Sequence, residues 1–296
     1  MGIILGFSTS TLLVIVVPLA CVMLAFWFLI WEAQKKSRRP FSGHPLRPPG
    51  ESVRLKVDAL NEQLLLRLMT LSVVLVPAVL LADRALKRGD LATGITVVAV
   101  ATALVLGIVL WVWQTIKAWR NYSLGFAGER AVGEELNRLM LDGCQVFHDL
   151  PLESLGNVDH VVVAPHAVFA VETKAKRKRR PAAAGQETHK VIFNGRELIY
   201  PQGTDRDALD QVRRNAQALA ERLSRLTAGP VVVRPVLVLP GWWVERTGKS
   251  DVTVVNDKAS QLRGAMLDAK SKPLEAKQRQ RIVELLEEWS RQSMEK

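Results

Sequence analysis

From Gly2 to Trp31 the chain carries no charged side chain. A run of that kind is long enough for a helix of roughly 20 residues through a hydrocarbon core of about 30 Å, and it predicts a transmembrane helix over about 8–31. A cleaved leader is the rival reading. No Lys or Arg precedes the apolar stretch, and the run continues well past the small residue Ala20, so the segment reads as retained. A second apolar run, Leu68 to Ala82, becomes a span over about 64–82 if Arg67 snorkels toward the headgroups. The third, about 91–116, is uncharged throughout and ends near Trp111, Trp113 and Trp119, which suit an interfacial aromatic belt.

Lysine and arginine set the expected orientation. Lys35, Lys36, Arg38, Arg39, Arg47, Arg54 and Lys56 follow the first span, Lys117 and Arg120 follow the third, and the hairpin between the second and third offers only Arg84, Lys87 and Arg88. The positive-inside rule then predicts a multi-pass protein of the cell (inner) membrane with its N-terminus outside and its C-terminal domain cytoplasmic. No ionisable residue lies deep in the first or third run, so the spans read as an anchor rather than a transport path. The stretch Pro40 to Pro49 reads as a solvated linker.

The whole-chain averages conceal this division: 296 residues, 48% hydrophobic, a formal charge of +11. After residue 120 the pattern is that of an ordinary α/β domain. Two cysteines, Cys21 and Cys144, can build neither a disulfide framework nor a four-ligand zinc site. The basic excess points to anionic partners, lipid headgroups or nucleic acid.

Val132, Leu136, Leu139 and Met140 recur at helical spacing, predicting an amphipathic helix over Gly125 to Leu141 with Glu129 on its apolar face. A carboxylate facing a core requires a cation or a donor. Three short Val- and Phe-rich runs follow, Gln145 to Asp149, Val158 to Ala164 and Ala167 to Lys174. If Pro165 and His166 form a two-residue loop, stepping outward places Asp159 directly opposite Glu172, with Lys174 on the same face as Glu172. Facing like charges destabilise a sheet. A divalent cation between them removes the conflict, and hard oxygen donors suit Mg²⁺. A lysine beside such an ion can orient an attacking water and stabilise phosphate charge. Against this stands the plain alternative of a strand start at Asp159 and a solvated strand end at Glu172 and Lys174. The meeting of the carboxylates across one hairpin, the shared face of the lysine and the placement of Glu129 favour the site.

The spacing G-x-x-G-E-x-x-V from Gly125, Asp159-His160, and V-F-A-V-E-T-K ending at Lys174 resemble the nuclease-related domain, NERD, which is similar to the PD-(D/E)xK restriction-endonuclease-like superfamily. The resemblance covers roughly Gly125 to Asp257. It implies that Asp159 and Glu172 are metal carboxylates for Mg²⁺ or Mn²⁺, that Lys174 is the catalytic lysine, and that Glu129 is a helix-borne acid completing the site. It also matches Gln211, near the start of a helix over about Arg206 to Leu226, to a glutamine of such nucleases, although the apolar face set by Leu209, Val212, Leu219 and Leu223 puts Gln211 on the helix flank. Two positions depart from the family pattern. Ala167 replaces a turn glycine, and Lys176, Arg177, Lys178, Arg179 and Arg180 replace an aromatic and glycine segment.

That basic run lies beside the proposed site and can hold a phosphodiester backbone; a solvated loop and an anionic-membrane contact are the other readings. Asn194-Gly195 signals a hairpin, Val231 to Leu239 and Val252 to Val255 read as later strands, and Glu275 to Trp289 as an amphipathic helix. Trp242-Trp243 suits base stacking, with core or membrane-surface packing the commoner use. His148, His160, His166 and His189 are scattered and read as unclustered.

The expected fold is therefore α/β: transmembrane helices in residues 1–120, a restriction-endonuclease-like (αβββαβ) domain over 121–260 and a helical extension over 261–296. The expected function is Mg²⁺-dependent phosphodiester hydrolysis on nucleic acid, DNA ahead of RNA, at the lipid bilayer. The alternative is a non-catalytic tethered module that binds nucleic acid or protein. A third reading is a scaffold on anionic lipid.

Overall fold

The computed structural model describes residues 27, 28, 31, 32, 45–152, 156–178, 188–227, 229–267 and 273–292. The first predicted span, about 8–31, lies almost wholly outside them, as do Arg179 and Arg180.

Two described helices are long and apolar enough to cross a membrane, α1 (Glu51–Lys87) and α2 (Leu91–Asn137), and they contain the predicted second and third spans. Between them Gly89 takes a left-handed φ of 74°. Asp90 then caps α2, its carboxylate accepting from the Thr93 N–H at 3.0 Å and the Thr93 hydroxyl at 2.6 Å.

The helices differ from expectation at their globular ends. Instead of a span ending near 116 and a separate helix from Gly125, α2 runs unbroken to Asn137 and closes in a 3₁₀ turn, Arg138–Asp142. No Pro interrupts residues 91–142, so nothing forces a break where hydropathy changes. Two compact units result, Met1–Gly43 with Leu66–Val112 and His44–Leu65 with Trp113–Lys296. The second takes in residues that the sequence reading gave to the anchor and to a solvated linker. Arg47 is buried and ion-paired with Asp149, its backbone N–H donates to Ser290 Oγ at 3.0 Å, and Pro49 fills a notch at Gly133, where a Cβ would come within 2.5 Å of the proline ring. Composition could not show this, because the partners lie about 100 residues or more along the chain.

The globular unit contains a five-stranded sheet in the order β1-β2-β3-β7-β9, built from β1 (Gln145–Leu152), β2 (Gly156–Val163), β3 (Val168–Thr173), β7 (Val233–Val238) and β9 (Thr253–Val255). Strands β1 to β3 pair antiparallel, and β3, β7 and β9 pair parallel. A four-stranded sheet, order β6-β5-β4-β8, comprises β4 (Lys190–Phe193), β5 (Leu198–Tyr200), β6 (Gly203–Asp205) and β8 (Trp243–Arg246). Three helices complete the unit: α3 (Asp207–Leu226), α4 (Ala259–Met266) and α5 (Ala276–Gln292). The element order contains the predicted αβββαβ core as α2, β1–β3, α3 and β7, with β4 and β5 as the predicted hairpin, β9 and α5 as the predicted later strand and helix, and β6, β8 and α4 besides.

Strand alternation sorts the large sheet's side chains onto two faces. Val161, Val163, Val168 and Ala170 bury against Ala216, Leu219 and Leu223 of α3 and Ile282, Leu286 and Trp289 of α5. Val162, Phe169 and Val171 bury against Val132 and Leu136 of α2 and Leu262 and Met266 of α4. A third cluster joins the small sheet to α3 through Val191, Phe193, Leu198, Leu209, Val212 and Trp242.

Candidate active site

The β2–β3 hairpin turns through Pro165 and His166, with the Ala164 N–H donating to the Ala167 carbonyl at 2.9 Å. Its register pairs Val163 with Val168, Val161 with Ala170 and His160 with Val171. One further step sets Asp159 opposite Glu172, the juxtaposition expected from the loop length, and the Thr173 N–H donates to Asp159 Oδ2 at 2.7 Å. The turn closes with Ala167 in place of glycine.

Glu172 pairs in register with Leu237 of the inner strand β7 and is only 3% exposed. It shares the face of Val168 and Ala170, under α3. There its Oε2 accepts from Asn215 Nδ2 and its Oε1 from Lys174 Nζ, both at 3.2 Å. Lys174 Nζ also donates to Gln211 Oε1 at 2.8 Å. Gln211 and Asn215 are four residues apart, one turn of α3, so the helix presents both amides to the same strand end. Gln211, placed on the flank by periodicity, is partly buried against the lysine. Asn215 escaped the sequence reading; its i+4 relation to Gln211 was the available signal.

Glu129 enters from α2 and is 8% exposed. The preceding Gly128 lets the helix approach the end of β3: a Cβ there would lie 2.6 Å from that of Ala175. Burial, then the charges of Asp149 and Glu172, push the Glu129 carboxyl up to about 8. Burial, Glu172 and Glu129 likewise raise Asp159 well above the carboxylate range. Glu172 is raised by burial, which outweighs the opposing effect of Lys174 and Asn215. Three acids thus feel one another with Lys174 as the cation that offsets them most, and their protonated forms are favoured. Among the described residues no three His, Cys, Asp or Glu side chains converge into a protein-only metal cage.

The opposite face of the same strands corrects the reading of scattered histidines. The β1–β2 register pairs His148 with His160, and their Nδ1 atoms lie 2.9 Å apart. Asn137 Oδ1 lies 3.1 Å from His148 Nε2, and Thr173 Oγ1 3.3 Å from His160 Nε2. With the Asn oxygen accepting, the Nδ1–Nδ1 contact holds a single hydrogen, so the two rings are never both charged, and burial favours the neutral forms by lowering His148 to about 4 and His160 well below its ordinary value. The linkage between β1 and β2 contains no two-residue turn signal, so sequence alone gave no register.

The basic run is engaged where it is described. Lys176 Nζ pairs with Asp205 at 2.5 Å and sits 4.3 Å from the centre of the Tyr200 ring. Arg177 donates to the Arg120 carbonyl, and Lys178 Nζ lies 5.8 Å from the Trp242 ring centre. The tandem tryptophans divide: Trp242 is buried and donates to the Lys176 carbonyl at 3.2 Å, whereas Trp243 is 57% exposed.

Residues 124–240 match the family model described as the nuclease-related domain, NERD. The matched segment contains Glu129, Asp159, Glu172, Lys174 and Gln211. No curated protein and no solved structure matches the chain.

Proposed function

We propose, for a chain that carries a nuclease-related domain over residues 124–240, that it hydrolyses phosphodiester bonds of nucleic acid with Mg²⁺ or Mn²⁺. The observation that carries this reading is the placement of Asp159 across the hairpin from Glu172, one register step beyond His160–Val171 and close enough for each charge to act on the other, with Lys174 two residues on and held by Gln211. The donor set fits a hard divalent cation: two facing carboxyl groups, crowded by burial and by one another, in the number that Mg²⁺ takes from protein while keeping waters for substrate to replace. Asp159 and Glu172 would hold the ion, which supplies Lewis-acid stabilisation of charge on the phosphate and lowers the pKa of a bound water.

The protein's own groups divide the remaining work. Lys174 presents Nζ hydrogens to a phosphate oxygen or to the attacking water, and Gln211 fixes the direction of that ammonium. Asn215 holds Glu172 in place by occupying Oε2. Glu129 adds a third carboxyl beside them, held toward its protonated form by burial and by the charges of Asp149 and Glu172 while no cation is bound.

The membrane reading rests on α1 and α2, two helices long and apolar enough to span. Together with the first apolar run they make a three-span anchor, N-terminus outside, that holds the domain on the cytoplasmic side, where DNA is the expected substrate ahead of RNA.

The test is cleavage of labelled DNA and RNA by the full chain in detergent, with Mg²⁺, Mn²⁺ or EDTA, beside Asp159→Ala and Lys174→Ala. Metal-dependent cleavage lost in both variants is the expected result. Absence of cleavage under every metal condition, or equal cleavage by the variants, overturns the enzymatic reading. Binding that survives both substitutions and falls steeply with salt would favour the non-catalytic module.

A further inference from the structure

Trp243 is mounted rigidly and left exposed. Its neighbour Trp242 is locked in the small-sheet core, edge-on to Tyr200 with ring centres 5.0 Å apart and an interplanar angle of 79°. Trp243 opens β8 and faces outward, 57% exposed where Trp242 is buried. The Trp243 N–H donates to the His189 carbonyl at 2.9 Å, and the parallel β4–β8 register sets it beside Lys190. On the same face stand Ile192 of β4 and Ile199 of β5, paired with one another in register, with Ile199 36% exposed. Lys258 Nζ lies 5.9 Å from the Trp243 ring centre. The outer face therefore combines an exposed aromatic ring, apolar ground and two lysines, of which Lys190 is ion-paired with Glu245 on the same face and Lys258 lies beside the ring.

The segment that leaves the candidate site runs to the back of this aromatic corner. Lys174 belongs to the site, Lys176 lies on Tyr200 with its carbonyl bonded to Trp242, and Lys178 lies over Trp242. Four residues span at most about 14 Å, so this segment, with Lys176 ion-paired to Asp205, leads from the carboxylates to the inner side of the tryptophan corner.

Resting on the nuclease reading, we infer that the outer face of the small sheet, centred on Trp243, is a stacking platform that selects single-stranded nucleic acid for the site. An unpaired base offers an open π-face to the indole while lysines meet the phosphates, which is how sequence-tolerant single-strand binding is built. In a duplex those base faces are already stacked, so an aromatic on a flat sheet has nothing to receive.

The experiment is fluorescence anisotropy of labelled oligo-dT and of a duplex of equal length with the full chain in nanodiscs, in EDTA so that cleavage is not needed. The variants are Trp243→Ala, Trp243→Phe and Asp159→Ala. Trp243→Ala weakens single-strand binding about tenfold, Trp243→Phe restores most of it, and duplex binding is unchanged in both. Asp159→Ala abolishes cleavage without touching this difference, so the platform is scored separately from catalysis. A chain that never cleaves but whose oligo-dT binding depends on Trp243 supports the platform while ending the nuclease reading. Equal oligo-dT affinity of wild type and Trp243→Ala overturns the platform. So does a blue-shifted tryptophan emission on anionic discs that Trp243→Ala removes while oligonucleotide affinity holds, because that face then meets lipid.

Discussion

Lys174 Nζ donates to Gln211 Oε1 over 2.8 Å, and the same ammonium reaches Glu172 at 3.2 Å. A hydrogen bond to a charged group contributes about 1.5–3 kcal/mol. If Gln211 directs the lysine toward substrate, Gln211→Ala lowers kcat by about tenfold or more, since each ~1.4 kcal/mol is a factor of ten. Oligonucleotide affinity in EDTA stays at the wild-type value. A variant that binds and cleaves normally would show that Gln211 is only a neighbour.

Glu129 gives the site a pH signature. Its folded carboxyl is pushed up to about 8 from an ordinary value of 4.5. Between those values the folded state holds a proton that the unfolded chain has released, so the contribution of this group to stability falls as pH rises. The expected effect is on the order of a few kcal/mol. In Glu129→Gln the group is absent. Thermal unfolding of both proteins in EDTA, at intervals from pH 5 to 8, should show wild type losing ground steadily relative to the variant. A constant difference in Tm across that range would mean that Glu129 is not desolvated as described.

How much of this was readable beforehand depended on what set each register. The β2–β3 hairpin was legible because a two-residue turn at Pro165-His166 and strict alternation leave one way to pair Asp159 with Glu172. The His148–His160 pair was not, since the connection between their strands carries no turn chemistry that fixes register. The docking of Arg47 onto Asp149 was hidden for another reason: a basic, Pro-rich stretch reads as solvated until its distant carboxylate is known. The continuation of α2 past residue 116 was not legible because hydropathy changes there whereas helix propensity does not. Trp242 and Trp243 were ambiguous as a pair, and they part where β8, a strand absent from the sequence reading, begins at Trp243, leaving Trp242 in the core and Trp243 on the surface.

The two glycines of the G-x-x-G-E spacing do different work. A Cβ on Gly128 would lie 2.6 Å from the Ala175 Cβ, whereas one on Gly125 would meet only Val53 at 3.9 Å. Gly128→Ala therefore forces α2 away from the segment after Lys174, at an expected cost of about 1–3 kcal/mol from overpacking, and it shifts Glu129 with it. Gly125→Ala fits ordinary contact and gains helix propensity, up to about 1 kcal/mol. Chemical denaturation of the two variants should give opposite signs. Equal destabilisation would place the constraint in the helix itself and not in its approach to β3.

Asp149 is the one described non-glycine residue with positive φ, at 51°, a conformation that costs about 1–3 kcal/mol unless its surroundings impose it. They do: its carboxylate accepts from Arg47, from the Ser52 N–H at 2.8 Å and hydroxyl at 2.7 Å, and from Asn157 at 2.7 Å. Arg47→Ala leaves a buried carboxylate without its cation, and breaking a buried pair this way costs about 3–5 kcal/mol. Asp149→Asn removes one of the two charges that raise Glu129. The Glu129 pKa then falls, and the loss of stability between pH 5 and 8 becomes smaller than in wild type. The double variant should be less destabilised than the sum of the two, because neither charge is left alone. A cost below about 0.5 kcal/mol for Arg47→Ala, the size of an ordinary surface change, would mean that residues 45–54 are held on the domain by Pro49 and Ser52 without help from this ion pair.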